Sequence, residues 1–578
     1  MRKLLVYLKN YKKESIIGPL FKLLEAVFEL IVPLIMARII DVGIRNKDLV
    51  YIGKMGLVLV FLGILGLSCS LIAQYFAAKA AIGFGTELRY DLFRHIENLS
   101  YAEVDKTGSS TLVVRMTSDV NQVQSGVNLV LRLFLRSPFI VVGAMVMAFT
   151  INWKAALVFV VTVPLLALVI YGVMAVTIPL YKKVQNALDS VLVTTRENLA
   201  GVRVVRAFRT QKQEKEIFEE KSDVLMGLQQ LVGRISALLN PVTYILVNAG
   251  AMAVIWIGGW QVNIGGMTQG EVIALVNYMT QVLTALVALA NLIVSFTKAL
   301  ASAGRINEVF ALEPGITDGQ GIAPEYSSLQ VEMRDVSFTY QGSREPALEH
   351  ITFSAAKGET IGIIGGTGSG KTTLVNLIPR FYDVTDGTVC VAGHNVKEYE
   401  VKDLRAKIGV VPQKAVLFHG TIRENMQMGK ADATDEEIRA ALHTAQALEF
   451  VENKPKGLDT VLSEDGKNLS GGQRQRLTIA RALVRKPEVL ILDDSASALD
   501  YATDARLRLA IAKDTRKMTV FLVSQRVSSI MHADRILVLD DGKIAGCGTH
   551  RELIQNCDIY REICHSQLSG EEVQAYAQ

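Results

Sequence analysis

Long uncharged runs alternate with long charged ones over the first 300 residues, and then the pattern changes. Met55–Ala78, Ala155–Tyr181, Ile235–Gly270 and Val272–Thr297 contain no Asp, Glu, Lys or Arg. Each exceeds the roughly 20 helical residues needed to cross a bilayer core. Ser137–Trp153 is shorter and equally uncharged, and Asn152-Trp153-Lys154 makes a tight break before the next run. Between the apolar runs, Leu88–Val104 and Ala187–Arg206 interleave charges at helical spacing, which predicts spans that continue as helices beyond the membrane. Further on, apolar runs shorten to strand length, as at Glu359–Gly365 and Val489–Leu492. The chain thus predicts an all-α membrane half followed by an α/β domain.

One of those strands ends in a recognisable loop. Gly365-Gly366-Thr367-Gly368-Ser369-Gly370-Lys371-Thr372 fits G-x-x-x-x-G-K-[ST] without mismatch, and Thr372–Leu377 opens a helix behind it. Strand, loop and helix in that order are the context the phosphate-binding loop requires. Its glycines let backbone N–H groups approach phosphates, Lys371 reaches the β/γ oxygens, and Thr372 can ligate Mg²⁺. The expected ligand is ATP with Mg²⁺, held by residues 365–372 together with Thr373.

Charge then fixes the topology. The N-terminus carries Arg2, Lys3, Lys9, Lys12 and Lys13, and the stretches at about 80–130 and 182–234 are rich in Lys and Arg, whereas Gln261–Gly270 has none. By the positive-inside rule the long loops are cytoplasmic. The basic N-terminus and the nucleotide-binding half must share that side, so the number of crossings is even. The weak candidate is about 14–40, which carries Lys22, Glu25, Glu29 and Arg38. Accepting it gives six helices at about 14–40, 55–80, 131–152, 154–181, 235–261 and 271–298. The expected domains are a membrane domain at 1–311, a linker at 312–328, a nucleotide-binding domain at 329–565 and a polar tail at 566–578 without chemistry of its own. No cleavable signal pattern precedes the first span.

Composition adds little. The 578 residues are 50% hydrophobic with a formal net charge of +4, which topology explains and which gives no reason to expect a nucleic-acid partner. The five cysteines (Cys69, Cys390, Cys547, Cys557 and Cys564) lack metal-site spacing.

Further motifs decide the class. Tyr340, Gln413, the signature Leu469-Ser470-Gly471-Gly472-Gln473, Asp493 at a strand end, and Ser497-Ala-Leu-Asp500 follow one another from about Leu329 to His565. In this order and spacing the region resembles the nucleotide-binding domain of an ATP-binding cassette (ABC) transporter. "RYDLFRHIENLS" (89–100), "RMTSDVNQVQ" (115–124) and "ENLAGVRVVRAF" (197–208) are similar to intracellular loops of ABC exporters. The resemblance implies an exporter half-transporter in the cell membrane, with its N-terminus and cassette in the cytoplasm. It implies coupling helices near Ala102–Thr107 and Phe208–Lys215, docked beside the Gln413 loop, the second on the partner's cassette. It also implies that Tyr340 stacks on adenine and that Asp493, Thr372 and Gln413 attend Mg²⁺. The 469–473 signature, with Asp500, would close over ATP held by a second cassette, so the protein works as a dimer.

The chain departs from the family pattern twice. The residue after Asp493 is normally a Glu that polarises the attacking water; here it is Asp494. The switch histidine position in "FLVSQRVSS" is Gln525, which hydrogen-bonds but cannot carry imidazole's charge or trade its protons. Asp494 shortens the side chain by one methylene, and misplacement by about 1 Å can cost on the order of 100-fold in rate. An impaired site beside an intact signature resembles one half of bacterial heterodimeric ABC multidrug exporters. The expected partner is a second half-transporter with complete Glu and His positions. A homodimer with slow ATPase, or a subunit exporting peptides or lipids, is the alternative; a gated channel is disfavoured because 312–328 holds no regulatory insertion.

The expected cargo is an amphipathic small molecule. Glu25 and Glu29 lie on one face of the first span, and carboxylates at membrane depth face a cavity or a partner. They either line the transport pathway and favour cationic cargo, or pair with Lys22 or a partner-chain residue, or are protonated, in a structural role.

Overall fold

The computed structural model describes residues 2–321, 327–495, 499–514 and 518–568. The chain divides into two compact units, Met1–Glu97 with Ser110–Ala311, and Asn98–Ser109 with Leu312–Gln578.

The first unit is helical. Among the described residues, five helical stretches are long and apolar enough to cross a membrane: Leu49–Glu97, Ser109–Ile151, Trp153–Ala200, Gln211–Asn263 and Gln269–Phe310. The sixth expected crossing is present as a helix, Lys12–Arg38, but does not join them. Lys22, Glu25 and Glu29 interrupt its apolar stretch, so its place as a span rests on the topology argument. It is nonetheless well packed. Ala26, Leu30 and Ala37 are buried, and the Tyr278 hydroxyl donates to the Leu30 carbonyl at 2.6 Å. A Cβ on Gly18 would lie 3.3 Å from the Ala77 nitrogen, the close approach that small residues allow between membrane helices.

The helices outrun their apolar segments. The run expected at 55–80 belongs to one 49-residue helix, Leu49–Glu97, about 74 Å long at 1.5 Å per residue. That is more than twice a hydrocarbon core of about 30 Å. It contains no proline, whereas the 48-residue helix Trp153–Ala200 contains Pro164 and Pro179. The break before that second helix is built by Asn152, whose extended backbone (φ −156°, ψ 116°) stops the preceding helix. Its side chain accepts from the Lys154 and Ala155 N–H groups at 3.0 and 3.2 Å, a side-chain N-cap. Leu57, Val60, Phe61, Leu67 and Leu71 stay exposed along Leu49–Glu97, as a lipid-facing surface requires.

The second unit is α/β. Thr360–Gly365 runs parallel between Arg535–Asp540 and Thr519–Val523, and the sheet continues in parallel through Val489–Asp493 to Ile408–Val411. Lys543–Gly548 closes one edge antiparallel. An antiparallel sheet packs beside it, with Leu329–Phe338 between Leu348–Ala356 and Asp386–Val391. Ile361, Ile363, Leu490, Ile491, Phe521 and Leu537 are all buried, as expected of parallel strands covered on both faces. Parallel pairing sets Val523 level with both Asp493 and Ile363. The carboxyl ends of three strands thereby meet at one edge, where open α/β sheets bind ligands.

Asn98–Ser109 belongs to this second unit, although the sequence places it in the membrane domain. Its helix Tyr101–Thr107 starts at a Ser100/Glu103 capping box. Tyr101 stacks on Phe381 (ring centroids 4.6 Å apart) and Asp105 accepts from the Tyr382 hydroxyl at 2.6 Å. The first expected coupling helix is therefore seated on Phe381 and Tyr382. The other end of the cassette also differs from expectation. The last described helix is Asp558–Gln567, so two residues assigned to the polar tail are helical. The tail beyond 568, and 322–326 within the linker, lie outside the described residues.

Candidate functional site

The loop after Thr360–Gly365 takes its shape from glycine. Gly368 and Gly370 have φ of 86° and 92°, a region that side chains with a Cβ disfavour. At Gly370 a Cβ would also meet the Ala347 carbonyl oxygen at 2.7 Å, whereas at Gly366 and Gly368 nothing lies within 4 Å. The loop is thus tight against the protein on one side and open on the other, as a backbone cradle for phosphates must be. Lys371 begins the helix Lys371–Leu377. Its Nζ donates to the carbonyls of Gly365 (3.0 Å) and Gly366 (2.6 Å) and to Ser369 Oγ (3.4 Å). Burial pulls this ammonium below its usual pKa, with Asp493 and Asp494 opposing.

A cavity of about 300 Å³ opens over this loop. It is lined by Thr367, Gly368, Gly370, Lys371, Thr372 and Thr373 from the loop and helix, by Asp493 and Asp494, by Gln413 and Tyr340, and by Ser524 and Gln525. Thr372 Oγ1 donates to Asp493 Oδ1 at 3.2 Å, and Gln413 Nε2 to Asp494 Oδ2 at 3.4 Å. Burial pushes both carboxyls above the usual range, and for Asp493 the neighbouring Asp494 adds to it. Asp494 sits at φ 43°, rare for a residue with a side chain. Tyr340 is held upright by a hydrogen bond between its hydroxyl and Thr373 Oγ1 (3.0 Å) and by edge contacts with Phe338 and Tyr382.

These residues fit Mg²⁺ held jointly with nucleotide phosphates. A hydroxyl, a buried carboxylate and an amide converge, and two carboxyls raised by burial are what a divalent cation relieves. Among the described residues no group of three His, Cys, Asp or Glu is placed to hold a metal alone. That suits an ion which takes one or two protein ligands and the rest from phosphate and water.

The signature residues do not line this cavity. Ser470 caps the helix Gly471–Val484: its Oγ accepts from Gln473 N–H at 3.3 Å, and Gln473 Oε1 accepts from Ser470 N–H at 3.1 Å. Leu469 beneath it is buried, while Ser470 is exposed. Asp500 accepts from the backbone and hydroxyl of Thr503, both at 2.8 Å, and those bonds hold its carboxyl below the usual range. Ser497 lies outside the described residues.

One contributor has no signal in the sequence. Gln567 donates through Nε2 to the Gln525 carbonyl at 2.7 Å, and its Oε1 accepts from Val527 N–H at 2.9 Å. A residue of the expected inert tail thus clamps the backbone on both sides of Arg526. At about 1 kcal/mol per hydrogen bond, Gln567→Ala is expected to weaken ATP binding to the isolated chain several-fold. Titration with a fluorescent ATP analogue measures this, and unchanged affinity would show the clamp to be idle.

The membrane carboxylates are paired. Glu25 accepts from Lys22 at 2.6 Å, and Lys22 also donates to Ser70. Glu29 accepts from Arg136 at 2.7 Å, a partner that neither reading of the sequence named. Neither carboxylate is an unopposed negative charge.

Comparison with known proteins finds relatives along almost the whole chain. The pattern described as "ABC transporter transmembrane region" matches residues 15–286, and that described as "ABC transporter" matches 348–497. The chain is 37% identical over 571 residues to an uncharacterized ABC transporter ATP-binding protein, YfiB, of Bacillus subtilis, covering 99% of both chains. It is 30% identical to the ATP-dependent lipid A-core flippase of Vibrio cholerae, over 98% of this chain and 97% of that protein. A solved bacterial Atm1-family ABC exporter with ATP bound shares the fold, with a TM-score of 0.77 at 23% identity over 96% of this chain and 98% of that one.

Proposed function

This chain belongs to the ABC transporters, as an exporter subunit with membrane region and ATP-binding cassette in one polypeptide, and on that footing we propose that it is the hydrolysis-impaired half of a heterodimeric exporter of amphipathic compounds. The observation that carries the proposal is the presence of both Asp494 and Gln525 in the lining of the nucleotide cavity, in a chain whose signature helix is intact and capped.

The residues take distinct roles. The 365–372 loop and Thr373 bind the phosphates, with Lys371 pre-positioned by three acceptors. Tyr340 offers an aromatic face to adenine. Thr372, Asp493 and Gln413 would hold Mg²⁺, which would supply neutralisation of phosphate charge. Asp494 holds the place from which a water would be oriented, but its carboxylate is short and engaged by Gln413. Gln525 gives the γ-phosphate a neutral neighbour where a charged one would draw the site shut. The triphosphate therefore stays bound and acts as a clamp. Leu469–Gln473 and Asp500, away from this cavity, serve the nucleotide of a second half-transporter with complete Glu and His positions.

Purified alone, the chain is expected to bind ATP in the micromolar range (about −8 kcal/mol) and to release phosphate far more slowly than with its partner. A malachite-green assay of both preparations tests this; equal, rapid turnover by the isolated chain would sink the heterodimer proposal. The likeness to the Vibrio cholerae flippase supports lipid cargo as the second reading.

A further inference from the structure

In the membrane unit, Lys12–Arg38, Arg136–Ile151 and Gln269–Phe310 line an open cavity of about 440 Å³. Among the described residues, its charged lining consists of Glu29 and Arg136, the ion pair at 2.7 Å. Asn277, Thr280, Gln281 and Thr284 from the third helix give it a polar wall, and Val32, Pro33, Met36, Ile140 and Ala285 an apolar one. The pair is not sealed away: the Glu29 and Arg136 side chains are 40% and 20% exposed.

We propose that this cavity binds the headgroup of a zwitterionic amphiphile, one carrying an ammonium and an acidic group a few ångströms apart, through exchange of the Glu29–Arg136 ion pair. The inference rests on the exporter reading and replaces the cationic cargo that one of the two sequence readings of Glu25 and Glu29 favoured. The physical reason is compensation of charge. A cation drawn to Glu29 must part it from Arg136 and strand the guanidinium, and an anion drawn to Arg136 strands the carboxylate. An unpaired charge at low dielectric is far costlier than a paired one. A zwitterion exchanges one internal pair for two intermolecular pairs and strands nothing. The apolar wall takes the tail, and the amide and hydroxyl wall takes the remaining polar atoms of the headgroup.

The test uses the full chain in nanodiscs with three fluorescent probes sharing one dye and one tail, ended by a quaternary ammonium, a sulfonate, or both as a sulfobetaine. A short-chain fluorescent phosphatidylethanolamine is the fourth probe. By anisotropy the sulfobetaine should bind about tenfold or more tighter than either singly charged probe. Glu29→Gln should shift the preference to the sulfonate and Arg136→Gln to the ammonium, a reversal that a merely structural ion pair would not produce. The exchange E29R/R136E keeps the pair and should keep the sulfobetaine preference, which guards against loss of fold. Tight phosphatidylethanolamine binding would identify the ligand as a lipid headgroup, and sulfobetaine binding without it a free amphiphile; either upholds the proposal. A wild-type chain without zwitterion preference, or single variants that retain it, overturns it. ATP-driven export of the ammonium probe in proteoliposomes by this chain assembled with its partner would in that case leave the exporter reading standing.

Discussion

In the assembled transporter, Ser470→Arg is expected to abolish ATP hydrolysis, while Asp494→Asn in the same chain lowers it only modestly. Ser470 is exposed and its hydroxyl caps the helix Gly471–Val484. An arginine there fills the space where a facing γ-phosphate would sit and removes the hydroxyl. Losing the cap costs about 1 kcal/mol, too little to unfold a domain, so the loss would report on the facing site. ATP binding at Lys371, measured on the same variant, should be unchanged because Ser470 does not line that cavity. The opposite pattern, with Asp494→Asn abolishing turnover and Ser470→Arg sparing it, would mean that this chain's own site does the chemistry.

The converse experiment builds activity. Asp494→Glu with Gln525→His should raise phosphate release by the isolated chain by roughly 100-fold. The longer carboxylate reaches past its present contact with Gln413, and the imidazole brings a donor that can be charged. Both positions already line the cavity, so no movement of the scaffold is needed. The two changes should be strongly non-additive, since an oriented water is useless beside an open site. No gain in the double variant would place the defect outside these two residues.

How much of this was legible depended on how local the determining physics is. The 365–372 loop could be read from residue types because the steric demand at Gly368 and Gly370 is a property of the backbone there. The break at Asn152 was legible for the same reason: cap and capped N–H groups lie within three residues. Hydropathy marks only what faces lipid, so the apolar runs understate the helices; the charges interleaved at helical spacing beyond them showed that the spans run on, as Leu49–Glu97 and Trp153–Ala200 do. Glu25 and Glu29 stood out as carboxylates at membrane depth. The partner of Glu25 is three residues away and was named; that of Glu29 is 107 residues away and was not. Gln567 reaches Gln525 across 42 residues, and only the fold brings the two together. The seat of Tyr101 on Phe381 was out of reach in the same way.

Two of the long membrane helices, Leu49–Glu97 and Trp153–Ala200, differ in stiffness. Leu49–Glu97 has an unbroken hydrogen-bond ladder, so it behaves as a lever: a tilt of about 5° at one end of some 74 Å of helix displaces the other by about 6 Å. Trp153–Ala200 loses a backbone donor at Pro164 and another at Pro179, and such points are where helices bend. The first is a rod that transmits displacement, and the second has two joints at which to absorb it. The membrane half can thus change shape at its mouth by articulating one helix, without melting a turn of the other.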